Sequence, residues 1–117
     1  MNLATRHSLR LRGMSFPGFE HNHADLRRVD ATAAVFSHAR LNGADLSDAR
    51  LVDADFSHAD LTDAVLRGAD LTNAKMRGAI LKGADLRETK GLTKHMLASA
   101  VIDEKTKLPD RMLTDQV

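Results

Sequence analysis

From Ala24 to Glu88 the chain repeats every five residues without an insertion, and this is its tightest constraint on fold. In register it reads ADLRR VDATA AVFSH ARLNG ADLSD ARLVD ADFSH ADLTD AVLRG ADLTN AKMRG AILKG ADLRE. Of these 13 blocks, 12 begin with Ala and 12 carry Leu, Phe or Met at the centre; the exceptions are Val29 and Ala31. A short fixed period takes precedence over any helix or strand assignment. A 3.6-residue helix would smear the central positions around its axis, and a strand alternates with period two. A chain that turns a corner every five residues fits. It points one small and one large apolar residue inward on each side.

The last position of each block carries the turn signal. Gly13, Gly18, Gly43, Gly68, Gly78 and Gly83 occupy it, six of the seven glycines. It is read as the third residue of a β-turn, where φ is positive and Gly is unstrained. Where Gly is absent the sequence mostly offers Asp48, Asp53, Asp63, Asn73, His23, His38 and His58, residue types that tolerate the left-handed region best. Phe16-Pro17-Gly18 reads as a type II turn and carries the register upstream to Leu9. The expected organisation is a lead or cap over 1–8, repeats over 9–88, and a C-terminal cap and tail over 89–117.

The blocks ADLSD, ADFSH, ADLTD and ADLTN resemble the pentapeptide-repeat family, whose motif is A(D/N)LXX. The resemblance implies an all-β solenoid, a right-handed quadrilateral parallel β-helix with four blocks, or 20 residues, per coil, and here about four coils. Residues 20 apart should then stack. Phe16, Phe36, Phe56 and Met76 are spaced in this way and form one expected structural column. Stacked rings gain offset aromatic contact as well as burial. The first coil has His21 where Leu is expected and the second has Ala31, so the upstream half should pack less tightly.

After Glu88 the motif stops. Thr93 suits a helix N-cap, with Met96, Leu97, Ala100 and Val101 on one helical face, so a short capping helix is predicted over about 93–101. Leu92 and Leu97 are placed to form a hydrophobic staple. The run IDEKTKLP looks like the tail that follows repeats in this family. Pro109 should end regular pairing.

Four Phe with no Trp or Tyr would be few for a small globule, but a solenoid needs only a narrow column refilled at each coil. There is no Cys, hence no thiolate nucleophile and no Cys-based metal site. No stretch resembles a signal peptide or reaches membrane-spanning length, so a cytoplasmic protein without membrane contact is expected, and the family resemblance implies a bacterial one. The net charge is +1, unevenly spread. Residues 45–63 hold six Asp against Arg50, whereas 67–90 hold six bases against three acids.

The candidate sites are polar. His38 and His58 share a column, but two imidazoles are too few for a zinc site. Asp25, Asp45 and Asp85 share another, interrupted by Val65, and offer no oxygen cage for a hard cation; Arg27, Arg67 and Arg87 stand ready to neutralise them. The column Asp30, Arg50, Asp70, Lys90 alternates in sign and suits register support. No catalytic motif appears, and no cofactor or small-molecule substrate is expected. The expected function is a rigid scaffold for an unidentified protein partner, as a monomer or an end-to-end homodimer. Two alternatives stand beside it. One is a mimic of duplex DNA engaging DNA gyrase or a related topoisomerase, as some relatives do; the other is an oligomerisation module. Mimicry needs a long negative surface, and four coils at ~4.8 Å span only about 20 Å. Nucleic-acid binding is disfavoured because no aromatic platform accompanies the bases. The candidate interaction surface comprises an acidic waist, Asp45, Asp48, Asp53, Asp55, Asp60 and Asp63, and a basic coil, Lys75, Arg77, Lys82 and Arg87. The hydrophobic positions Val35, Val52, Val65 and Ile80 fall on four different sides, so no apolar stripe is expected.

Overall fold

A computed structural model describes residues 10–16, 20 and 22–114. The Leu9 boundary, the Pro17-Gly18 turn and His21 lie outside the described residues.

Every side of the solenoid is made by one block. The second residue of each block pairs in parallel with the residue 20 positions on, giving four columns. The first side runs Arg10, Asp30, Arg50, Asp70, Lys90, and the second Ser15, Val35, Asp55, Lys75. On the third stand Glu20, Arg40, Asp60, Ile80 and Val101, and on the fourth Asp25, Asp45, Val65, Asp85 and Lys107. Pairing is only one residue long on each side, so the fold has bridges where a longer period would give strands.

Block 44–48 shows why the sequence takes this shape, because each of its five N–H groups has an acceptor. Asp45 N–H donates back to the Ala24 carbonyl (2.9 Å), while Leu46 and Asp48 donate forward to Val65 (2.7 Å) and Arg67 (3.0 Å). Ala44 N–H closes the preceding turn on the Leu41 carbonyl (3.0 Å). The remaining donor, Ser47 N–H, points into the turn and is met by Asp45 Oδ1 (3.0 Å). Buried and half-buried backbone groups need such partners. The Asp of the motif is therefore a local acceptor for the fourth residue of its own block.

Corners obey the same rule throughout. The last residue of every block from His23 to Glu88 has positive φ, including Arg28 (62°), Ala33 (60°) and Glu88 (62°), types that the sequence pattern did not favour there. Only this residue of the turn is left-handed, which makes the corners type II.

Ala and Leu fill the interior; from Ala24 to Leu86 the first and third residues of each block are all at most 5% exposed. Phe16 stacks on Phe36 and Phe36 on Phe56, each with ring centroids 5.3 Å apart. Met76 is buried one coil further on. In the VDATA block Val29 and Ala31 are both fully buried, with Val at the first position and Ala at the third.

At the C-terminal end α1 spans Lys94–Ser99, and Thr93 Oγ1 accepts from the Met96 N–H (3.1 Å). The helix is shorter than the sequence suggests. Ala100 closes it in extended conformation, and Val101 leaves the helical face to pair with Ile80. Lys107 likewise pairs with Asp85, so the tail adds partial sides at spacings of 21 and 22 that carry no pentapeptide pattern. A second helix, α2 (Asp110–Thr114), follows Pro109 and buries Met112. None of the described helices is long and apolar enough to cross a membrane.

Candidate interaction surface

The ten polar residues singled out in the sequence do not form one face. Asp53 lies on the first side, Asp55, Lys75 and Arg77 on the second, Asp60, Asp63 and Lys82 on the third, and Asp45, Asp48 and Arg87 on the fourth. The acidic waist is a belt around the rod.

Half of that belt is occupied by the turns. Ser47, Ser57 and Thr62 N–H groups donate to Asp45, Asp55 and Asp60 (3.0, 2.9 and 3.0 Å), and Thr62 Oγ1 adds a second bond to Asp60 (2.6 Å). Partial burial pushes the Asp55 and Asp60 carboxyls up, but these hydrogen bonds and nearby Lys75 and Arg40 outweigh it and hold both below the usual range. Asp48, Asp53 and Asp63 are the exposed half, each at a corner with positive φ.

The arginines divide similarly. Arg27 and Arg87 clasp Asp25 and Asp85 in two-pronged pairs (2.7–2.9 Å), and this contact lowers both carboxyls. Arg67 does not join them. Val65 stands where the Asp would be, and Arg67 turns to Glu88 instead. Along the sign-alternating first side, no salt bridge links Asp30, Arg50, Asp70 and Lys90 among the described residues. Thr32 and Thr72 hydroxyls satisfy Asp30 and Asp70 (2.7 and 2.6 Å).

Charges of both signs remain outside the salt bridges of the described residues, Asp48, Asp53 and Asp63 at the corners and bases one coil further on. Lys75, Arg77 and Lys82 close no salt bridge among the described residues, and they stand on the second and third sides of the 69–88 coil. Beside them a groove of about 650 Å³ opens between the second side and α1, with Met76 and Met96 among its lining. A cleft of about 550 Å³ lies on the fourth side, but its arginines are engaged: Arg87 by Asp85, Arg67 by Glu88, and Arg111 by the Leu92 and Thr89 carbonyls.

His38 and His58 stack with ring centroids 5.2 Å apart, and no cluster of three metal-ligating side chains exists among the described residues. The stack follows from the corners. A left-handed corner sends its side chain along the rod, over the corner of the next coil. A Cβ on Gly43 would lie 2.5 Å from His23 Nδ1, and one on Gly78 would lie 2.3 Å from His58 Nδ1.

Comparison with known proteins agrees with this geometry. The sequence model of pentapeptide repeats matches in eight copies over residues 18–48 and 49–88, more than half of the chain. The chain belongs to the pentapeptide-repeat family. Among solved structures it is similar to a pentapeptide-repeat protein of the Arabidopsis thaliana thylakoid lumen, at 28% identity and a TM-score of 0.68 over 82% of this chain. It is also similar to HetL of Nostoc sp. strain PCC 7120, a pentapeptide-repeat protein involved in heterocyst differentiation regulation, at 30% identity and a TM-score of 0.39 over 84% of this chain. The chain spans 62% and 48% of these two proteins. No curated protein sequence matches it.

Proposed function

We propose that this pentapeptide-repeat protein is a non-enzymatic scaffold that binds an acidic protein surface through the basic corner of its 69–88 coil. One observation carries the reading. Lys75, Arg77 and Lys82 stand on adjoining sides of one coil in a stretch, 67–90, that holds six bases against three acids, and none of the three closes a salt bridge among the described residues. Cations left without a close carboxylate on a rigid surface favour a partner of opposite charge and steer its approach. The duplex-mimic reading has less support, because each of the four columns mixes residue types and none is a continuous row of acids.

Affinity capture from the native host, with the unaltered chain and the Lys75→Glu, Arg77→Glu, Lys82→Glu variant as baits, tests this. A partner retained by the first and lost by the second, with capture declining as salt rises, is the expected outcome. Equal capture by both baits at every salt concentration refutes the basic corner as the contact.

A further inference from the structure

The second side is where the solenoid stops short. Bridges on the first, third and fourth sides continue to Lys90, Val101 and Lys107, while the second ends at Lys75. There the chain forms α1 instead of another side, and Ser99 ties it down by accepting the Gly78 N–H (2.8 Å). A helix does not follow the flat edge of a coil. The mismatch leaves the groove of about 650 Å³, placed at the end of the Phe16–Phe36–Phe56–Met76 column.

Its chemistry is divided. Met76 and Met96 lie at its apolar base, nearly buried, and both are flexible thioethers that reshape to fit a guest. Lys75, Arg77 and His95 are the titratable residues of its lining, and no carboxylate belongs to that lining. Asp55, the nearest acid to Lys75 along the column, accepts the Ser57 N–H (2.9 Å) and lies outside the lining, where it closes no salt bridge with Lys75. A volume of this size lies in the range of small-molecule sites, about 300–1,000 Å³. An apolar base with a cationic rim selects a guest with a hydrocarbon body and one anionic end.

We infer that the groove between α1 and the second side is a binding site for a small amphipathic carboxylate, its apolar body against Met76 and Met96 and its carboxylate against Lys75 and Arg77. This goes beyond the scaffold role, and Lys82, outside the groove, separates the two.

The probe is decanoate, titrated below its micellar range into the full chain carrying ¹³C-methyl methionine. Saturable shifts of the Met76 and Met96 methyl signals are expected, with Met14 and Met112 unmoved. Charge-assisted hydrogen bonds are the strong ones, so Lys75→Gln with Arg77→Gln should weaken binding by about ten-fold or more. Lys82→Gln should leave decanoate binding within about two-fold, and decanol should bind more weakly than decanoate. No saturable shift, uniform shifts of all methionines, or equal affinity for the double variant overturns the inference. Loss of protein capture by a Lys82 variant that still binds decanoate would show that the two surfaces act separately.

Discussion

Gly13 and Gly91 offer a controlled comparison of backbone strain with steric exclusion. Both have positive φ, +66° and +77°, so an Ala at either place meets a similar conformational penalty. That penalty is about 1–2 kcal/mol, reduced by about 0.4–1 kcal/mol because Ala restricts the unfolded chain. The surroundings differ. Among the described residues a Cβ on Gly13 meets nothing within 4 Å, whereas one on Gly91 falls 2.5 Å from Thr72 Cα and 2.6 Å from Thr72 N. Those are backbone atoms held in the stack, so relief requires movement of a coil, and overpacking of this kind adds about 1–3 kcal/mol. Gly83 is intermediate: its Cβ would meet Asp63 Oδ1 at 2.2 Å, the end of a side chain that can swing away. The order of loss should be Gly13→Ala, then Gly83→Ala, then Gly91→Ala. The last should lie about 2–4 kcal/mol below the parent, roughly 10 °C in Tm for a chain of this size. Thermal unfolding followed by circular dichroism reads it directly. Replacing Asp63 by Gly in the Gly83→Ala background should recover most of that variant's loss. Equal Tm values for the Gly13 and Gly91 variants would refute the close approach of the corners along the rod.

Phe56 is fully buried and stacked on Phe36, so Phe56→Ala should cost about 3–5 kcal/mol by denaturant unfolding, and the half-buried Phe16 much less. Acid should destabilise the protein through its turn carboxylates. Asp25, Asp70 and Asp85 are held low by hydrogen bonds from Arg27, Thr72 and Arg87, so their contribution is complete above about pH 4 and is lost as pH falls through their lowered values. Asp70→Asn keeps an acceptor for the Thr72 N–H and hydroxyl, and should flatten that acid limb while changing neutral-pH stability by less than about 1 kcal/mol; an unchanged pH profile would count against the turn role.

The period of five revealed most of the architecture because one physical unit, a side plus a corner, recurs with the same demands each time. The Ala and Leu positions, the left-handed corners and the 20-residue stacking were all legible. Arg28, Ala33 and Glu88 adopt the same corner against their own preference, since the neighbouring coils fix the backbone there and override local propensity. The C-terminal end was less legible. Val101 and Lys107 join the third and fourth sides through backbone bonds, to Ala79 and Ala84 carbonyls, that leave no periodic trace in side-chain type.

The two roles of Asp on the surface were hard to tell apart for a related reason. In a sequence, Asp at the second position of a block looks like charge displayed to solvent. In the structure Asp45, Asp55 and Asp60 complete a turn, and only the geometry tells them apart from Asp48, Asp53 and Asp63 at the corners. The Asp-x-Ser and Asp-x-Thr spacing, present in ADLSD, ADFSH and ADLTD, was the available signal, because such side chains accept from the backbone N–H two residues on. Around the 69–88 coil the charge is basic by count, with six bases against three acids over 67–90. Lys75, Arg77 and Lys82 stand there without a salt bridge among the described residues, although Lys75 helps to lower the Asp55 carboxyl. The groove beside them lies where the second side gives way to a helix.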